Sequence, residues 1–169
     1  MKVIKLIGLV LAIIFVILIL PFFIFPIANN ITLSGFSKQL YEIEIPNTKV
    51  LEKHSVCGKL TGNGNGMDFL ACVLVETDLT FEELKSEFES KKFKYAKPGA
   101  TLQYGGFKDG KYPVSTDVVK VDDGKLNTAY LAHAEIKFGN PKNWDDYSKY
   151  YALVISDGGY SAGFDLRGH

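Results

Sequence analysis

The sequence is poor in the residues from which catalytic and metal sites are most often built. It has two cysteines and three histidines, and the histidines, His54, His133 and His169, show no metal-ligand spacing. It contains no Cys-x-x-Cys and no Gly-Lys-Ser/Thr sequence, so no redox or phosphate-loop site is indicated. The sequence therefore predicts neither a metal nor a cofactor, and no catalytic residue is assigned.

An excess of charge of one sign is also lacking. Lysine plus arginine and aspartate plus glutamate each number 19, and Arg167 is the one arginine. Without an excess of positive charge, the chain offers no electrostatic basis for binding nucleic acid. We therefore expect no nucleic-acid partner.

A long apolar run lies near the start of the chain. No charged residue occurs from Leu6 to Ala28, and these 23 positions (28 − 6 + 1) would form a helix of ~34 Å at ~1.5 Å per residue. That length crosses a hydrocarbon core of roughly 30 Å, and a spanning segment is helical because it must satisfy its own backbone hydrogen bonds. We predict a signal-anchor transmembrane helix in residues 1–28, with the membrane contacted by residues 6–28.

Two alternatives remain for this run. A cleaved signal peptide would have a long apolar region and a poor cleavage pattern, since Pro26-Ile27-Ala28 lacks the small-x-small form. A buried core helix is the second alternative, although such helices are rarely apolar on every face. For an anchor, Lys2 and Lys5 before the helix place the amino terminus in the cytoplasm, with the rest outside a cell membrane crossed once.

The rest of the sequence predicts a short linker and one domain. Residues 29–36 form a juxtamembrane linker in this interpretation, and residues 37–169 an extracytoplasmic α+β domain. A capping box at Thr80 and Glu83 opens a predicted helix that runs to about Phe93, packed on one face of an antiparallel sheet. The predicted strands are 39–45, 50–61, 67–76, 101–104, 114–121, 126–138, 150–156 and 160–166, with a hairpin at Asp157-Gly158-Gly159 between the last two.

The two cysteines, Cys57 and Cys72, flank the glycine-rich stretch GKLTGNGNGMDFLA. If the strands around them pair through a type II′ loop at Gly64-Asn65, Cys57 lies directly opposite Cys72. A four-residue loop, Asn63 to Gly66, gives the same pairs, and the sequence does not choose between the two loops. Opposed Cα atoms in a sheet are ~4.5–5.5 Å apart, within disulfide reach. We predict a structural disulfide, in keeping with an oxidising exterior.

Four lysines lie at the end of the predicted helix and just after it, and we call them the lysine segment: Lys91, Lys92, Lys94 and Lys97. With aromatic residues between them, they form a candidate binding site for anionic headgroups or an anionic envelope polymer. The alternative is a solvated helix end, where cations also suit the helix dipole. A set of tyrosines could likewise line a ligand groove or simply pack: Tyr104, Tyr112, Tyr147, Tyr150, Tyr151 and Tyr160.

Together these patterns favour a membrane-anchored domain that binds a protein or a cell-envelope component without catalysis. One alternative is an extracytoplasmic hydrolase that uses His54 or His133 with a carboxylate. Another is an accessory subunit of a membrane complex, whose anchor helix would have partners. In that helix, Gly8 and Ala12 make one small-xxx-small step.

Overall fold

The computed structural model describes residues 2–61, 66–97, 114–121, 125–126, 128, 131, 135–139 and 149–169, with the backbone alone for residues 2–4. The predicted strand 101–104 lies outside these residues. The elements are α1 (Lys2–Ile19), α2 (Pro21–Tyr41), β1 (Thr48–Gly58), β2 (Met67–Thr77), α3 (Phe81–Glu89), β3 (Ser115–Lys120), β4 (Tyr150–Tyr160) and a 3₁₀ turn (Leu166–Gly168).

The helices α1 and α2 form one continuous rod. Leu20 N donates to Val16 O at 2.8 Å and Ile24 N to Leu20 O at 3.1 Å, which carries the helix across Leu20. From Lys5 to Tyr41 the rod has 37 residues, or ~55 Å at ~1.5 Å per residue. One part of it is long and apolar enough to span a membrane, consistent with single-pass anchoring. Residues 29–36, assigned to a linker by the sequence, are helical and continue this rod.

The described strands form one antiparallel sheet in the order β1-β2-β4-β3. The two central strands, β2 and β4, carry mostly buried side chains. The apolar run at 150–156 predicts such a central strand, because a strand covered on both faces has no polar side. The α+β class, with an antiparallel sheet and a membrane-capable helix, is confirmed.

Both faces of the sheet are covered. On one face, Phe36 and Leu40 of α2 and Leu84 and Phe88 of α3 are each at most 2% exposed and belong to one buried cluster with side chains of the sheet. The helix α2 contacts β1 and β2, and α3 contacts β3. The face predicted to carry one helix therefore carries α3 together with the last turns of α2. The other face is covered by a second apolar group, which includes Leu60, Val121, Leu126, Ile136 and Phe138.

The helix α3 begins where the capping box predicts. Thr80 Oγ1 accepts a hydrogen bond from Glu83 N at 3.3 Å, and Glu83 Oε2 accepts one from Thr80 N at 2.8 Å. Hydrogen bonding to Thr80 also lowers the pKa of the Glu83 carboxyl. The helix ends at Glu89, before the predicted end at Phe93.

The strands β1 and β2 pair in a register other than the predicted one, and the predicted disulfide is wrong. Cys57 lies opposite Phe69, three positions (72 − 69) from Cys72, which lies opposite His54. Because three is odd, this shift puts the two sulfur atoms on opposite faces of the sheet. Each lies in a separate cluster of buried residues, and both thiols are free.

A wide loop accompanies this register. Gly58 pairs with Asp68, so nine residues (68 − 58 − 1) join the strands where the prediction has a loop of two or four. Asp68 stabilises the approach to the loop, because its Oδ2 accepts hydrogen bonds from Leu60 N, Thr61 N and Thr61 Oγ1 at 3.1, 3.1 and 3.2 Å. The Asp68 carboxylate thus accepts the hydrogen bonds of these groups, in place of the backbone hydrogen bonds of the predicted turn.

The prediction of a strand over residues 39–45 is wrong, because none of these residues is in a strand. Residues 39–41 complete α2, and the strand β1 begins only at Thr48. Phe36 and Leu40 are spaced by four, so one helical face buries both against the sheet. Packing of that face outweighs the alternating pattern that favours a strand.

The predicted strand 126–138 is also wrong. Lys125 pairs with Lys137 across an antiparallel bridge, and Leu126 N donates to Ile136 O at 3.1 Å. A single extended strand would hold its two ends far apart at ~3.3 Å per residue. The segment therefore folds back on itself.

The predicted hairpin at Asp157-Gly158-Gly159 and the strand after it are not formed. The strand β4 runs through these residues to Tyr160, and the chain then turns into the short 3₁₀ helix. The glycines have another role here, because a Cβ on Gly158 would collide with the Asp68 side chain. Their lack of side chains lets Asp68 Oδ1 accept a hydrogen bond from Gly159 N at 3.0 Å.

Candidate functional site

A polar cluster lies where the apolar part of the rod meets the sheet domain, and we call it the junction. Two asparagines of α2 come directly after the apolar run, a lysine comes from the lysine segment, and two charged residues follow β4. The junction consists of Asn29, Asn30, Lys97, Asp165 and Arg167.

The centre of the junction is a bidentate ion pair between Arg167 and Asp165. The guanidinium Nε donates to Asp165 Oδ1 at 2.9 Å and Nη2 to Oδ2 at 2.7 Å. Asp165 is only 1% exposed, and its Oδ2 also accepts a hydrogen bond from Asn29 Nδ2 at 2.9 Å. These bonds, that of Arg167 first, lower the pKa of the Asp165 carboxyl to about 2. The buried carboxylate is therefore charged and fully paired at neutral pH.

Both cations of the junction reach back to the rod. Arg167 Nη1 donates to Asn30 Oδ1 at 2.8 Å, and its Nη2 donates to the Pro26 carbonyl at 3.3 Å. Lys97 Nζ donates to Asn29 Oδ1 at 2.8 Å, and burial lowers the pKa of this amine. Lys97 is thus directed into the protein, away from the other three lysines of the segment.

Two residues of β4 hold the chain just before Lys97. The Asp157 carboxylate accepts hydrogen bonds from Tyr160 Oη at 2.5 Å and from Ala96 N at 2.7 Å. Burial raises the pKa of the Asp157 carboxyl, and burial together with the bond to Asp157 raises the pKa of the Tyr160 hydroxyl. The pair fixes the end of the lysine segment against the sheet.

Cys57 borders the junction but is not a reactive thiol. It is 4% exposed, and its Sγ lies 4.0 Å from Asn30 Oδ1. Burial raises the pKa of the Cys57 thiol, although the nearby Arg167 guanidinium opposes the shift. Burial also raises the pKa of Cys72 to about 12. Both side chains are protonated at neutral pH, which is the unreactive form of cysteine.

Of the other three lysines of the segment, Lys94 is bonded to the last turns of α2, and Lys91 and Lys92 come just before it in the chain. Lys94 N donates to Gln39 Oε1 at 2.7 Å, and Gln39 Nε2 donates back to Lys94 O at 3.1 Å. Lys92 and Lys94 are exposed and Lys91 is partly exposed. The ion pairs found within the described residues involve other lysines. The structure therefore splits the segment into three outward cations and one inward cation.

His54 is brought close to a carboxylate. Its Nε2 lies 3.2 Å from Glu52 Oε2, an oxygen that also accepts a hydrogen bond from Gly139 N at 3.0 Å. The imidazole meets the Phe138 ring edge-on at 5.4 Å between centroids. These contacts connect β1 with the segment that covers the second face of the sheet.

The remaining candidates do not form one site. His133, Tyr104, Tyr112 and Tyr147 lie outside the described residues. His169 Nε2 lies 3.0 Å from the Gly163 carbonyl. Along β4, Tyr151 and Tyr160 face the helices whereas Tyr150 packs on the opposite side, so these three tyrosines do not share a groove. No group of three or more metal-ligating side chains occurs among the residues that the structure describes.

A shallow polar cleft lies at the start of β1, at the other end of this strand from Arg167. Its volume is about 470 Å³, and Lys149 Nζ lies 2.6 Å from Asp78 Oδ1 at its rim. The lining residues are Asn47, Thr48, Lys49, Glu76, Thr77, Asp78 and Lys149.

Sequence reasoning missed the junction, although two signals pointed to it. Asn29 and Asn30 stand at the end of a run with no polar residue, and Arg167 is the one arginine in a lysine-rich chain. Amide and guanidinium groups at such places need hydrogen-bond partners. No protein-family model matches the chain, and neither the curated proteins nor the solved structures contain a match.

Proposed function

We propose that this is a single-pass membrane protein, with its amino terminus in the cytoplasm, whose outer domain binds an anionic component of the cell envelope without catalysis. The observation that carries the proposal is the reciprocal pair of hydrogen bonds between Gln39 and Lys94. It attaches a cationic segment directly to the helix that would anchor the protein. The three outward lysines, Lys91, Lys92 and Lys94, form the proposed binding site.

The height of these lysines above the membrane favours an envelope polymer over lipid headgroups. Gln39 follows Ala28 by 11 residues (39 − 28) in a helix that continues unbroken, or ~16 Å along an upright rod at ~1.5 Å per residue. The headgroup layer adds only ~5–8 Å to each side of the hydrocarbon core. A segment fixed at the level of Gln39 therefore projects beyond the headgroups into the envelope.

The arrangement of the lysines suits a flexible polyanion. Lys92 and Lys94 are exposed, and a carboxylate or phosphate chain can approach several amines at once. Since the attraction acts through solvent, its strength falls as salt is added. The bonds to Gln39 fix the backbone at Lys94, so binding does not have to order that part of the segment.

The test measures binding of a soluble polyanion to the full-length protein. Fluorescently labelled polyphosphate is titrated into the protein in uncharged detergent micelles, at several salt concentrations. The wild type should bind with an affinity that falls with salt. The triple variant K91Q/K92Q/K94Q should bind at least about tenfold more weakly, given ~1 kcal/mol for each surface lysine at low salt.

A matched variant separates the site from the overall charge. Lys49, Lys59 and Lys120 belong to other parts of the domain. The variant K49Q/K59Q/K120Q therefore removes the same number of positive charges, three, from elsewhere on the domain. Binding by this variant should stay within about twofold of the wild type. Equal weakening in both triple variants would show that the polyanion responds to net charge alone, and would overturn the proposal.

The orientation has its own test. A membrane-impermeant amine reagent is applied to intact cells, and the modified lysines are identified by mass spectrometry. Lys92 and Lys94, which are exposed, should be modified before lysis. Modification only after lysis would put the domain in the cytoplasm.

A further inference from the structure

We infer that the turn after β4, residues 161–168, lies in the outer edge of the lipid bilayer beside the rod and forms a second membrane contact. We call it the Phe164 turn. The inference rests on the proposed single-pass anchoring, since the depth of the turn is set by its contacts with the rod. Its ligand is the lipid bilayer itself.

The Phe164 ring is stacked edge-on against two rings of the rod. Its centroid lies 5.2 Å from that of Phe22 and 5.7 Å from that of Phe25. Phe22 and Phe25 precede Ala28, the end of the apolar run, by six and three residues, or ~9 and ~4.5 Å along the axis at ~1.5 Å per residue. A bilayer that covers the apolar run therefore also reaches Phe164.

Among the described residues of the domain, the exposed large apolar side chains are confined to this turn. Apart from residues 6–31 of the rod, Phe164 and Leu166 are the large hydrophobic side chains left exposed in the described part of the chain, at 46% and 70%. Their neighbours Ala162 and Asp165 are 3% and 1% exposed. An apolar surface that continues directly from a membrane-capable helix is best covered by the same lipid.

The turn is held against the rod by a close approach of its backbone. Gly163 has φ +60°, and a Cβ at this position would collide with the Phe25 ring. Glycine is therefore needed here both for the left-handed conformation and for contact with the rod. The Arg167–Asp165 pair with Asn29 and Asn30 fixes the other side of the turn.

Part of the backbone of the turn is hydrogen-bonded within the protein, which reduces the cost of placing an irregular segment at the edge of the lipid. Asp165 N donates to Ala162 O at 3.1 Å, and Gly168 N donates to Asp165 O at 3.1 Å. The charged junction follows the apolar run directly, which places it at the level of the headgroups. The turn thus presents apolar side chains to the membrane interior and keeps its charges at the boundary.

The test measures the depth of a tryptophan placed in the turn. The one tryptophan of the sequence is removed by W144F, and L166W is added in the full-length protein. The protein is reconstituted into phosphatidylcholine vesicles with brominated acyl chains, which quench only within the bilayer. Leu166 is 70% exposed, so the larger ring needs no space in the core.

Two control positions calibrate the quenching. In the same W144F background, F15W lies in the apolar part of the rod and E82W lies on the exposed side of α3. We expect strong quenching for F15W, clear quenching for L166W and none for E82W. Acrylamide in the aqueous phase should show the reverse order.

The outcomes distinguish this inference from the proposed anchoring. If F15W were quenched but L166W were quenched no more than E82W, the inference would be overturned and the anchor would remain in place. If F15W also escaped quenching, the anchoring would be wrong and the inference would fail with it. A second variant, F164W, repeats the test at the residue that contacts the rod and should be quenched like L166W.

Discussion

The two parts of the rod use similar side chains in different surroundings. In the first part, Phe15 and Leu18 are 64% and 63% exposed, and apolar residues occupy every side of the helix. In the second part, Phe36 and Leu40 are 2% and 0% exposed and lie on one face, against the sheet. The change from one surrounding to the other falls within a continuous helix, at Asn29 and Asn30, without a break in the backbone.

This difference shows how the same residue type can act on two separate properties. An apolar side chain in the first part adds to the affinity of the helix for lipid. An apolar side chain in the second part adds to the stability of the sheet domain, because unfolding exposes it to water. The junction lies between the two parts and connects them.

The sharpest test of this comparison replaces one leucine in each part. We expect Leu40→Ala to lower the free energy of unfolding of the domain by ~2–5 kcal/mol, because it leaves a cavity at a fully buried site. Leu18→Ala should change it by less than ~0.5 kcal/mol. Both are measured by denaturant unfolding in uncharged micelles, followed by near-ultraviolet circular dichroism. Equal losses for the two variants would mean that the rod unfolds as one unit with the domain.

The next test acts on the connection between the parts. Asp165→Asn should destabilise the domain by roughly 1.5–3 kcal/mol, because it weakens charge-assisted hydrogen bonds at a site that is 1% exposed. Glu89→Gln is the control, because the ion pair of Glu89 with Lys85 lies at the surface, with 3.9 Å between the charged atoms. This variant should change the free energy of unfolding by less than ~1 kcal/mol. Equal effects would show that the junction contributes no more than a surface ion pair.

A smaller effect is expected in the pH dependence of stability. The folded-state pKa of Asp165 is about 2, below the ordinary value, so its contribution is complete above about pH 4 and is lost as pH falls towards 2. Asp157 has a raised pKa, because it is buried, and acts in the opposite direction. The informative quantity is therefore the difference in unfolding free energy between the wild type and D165N. It should be constant from about pH 5 to 7 and shrink below about pH 4, whereas a constant difference down to pH 2 would contradict this origin.

The sequence predicted those features that depend on local pattern. The apolar run, the capping box of Thr80 and the central strand at 150–156 each follow from neighbours within a few positions. In each case the physical cause, a helix cap or a buried surface, is local in the chain. Such features are readable without knowing which distant segments meet.

The features that were missed depend on distant contacts. The register of β1 and β2 is accompanied by hydrogen bonds from Leu60 N and Thr61 N to the Asp68 carboxylate. Nine residues (68 − 58 − 1) lie between the paired residues Gly58 and Asp68, and no local turn pattern signals a loop of this length. The junction joins Asn30 to Arg167, 137 positions apart. The end of α2 likewise depends on a sheet that packs against Leu40. A sequence pattern can name such residues but does not say what they touch.

The smallest expected effect concerns the two cysteines, which report the two faces of the sheet. Cys57 lies on the face that carries the rod and Cys72 on the other, so no disulfide joins them and a reductant should leave the unfolding free energy unchanged. Alkylation of the denatured protein, without reduction, should add two alkyl groups to the intact mass. If they were added only after reduction, Cys57 and Cys72 would be bonded. The strands would then have to pair three positions away from the register described, and the face of the sheet that receives the rod would have to be reassigned.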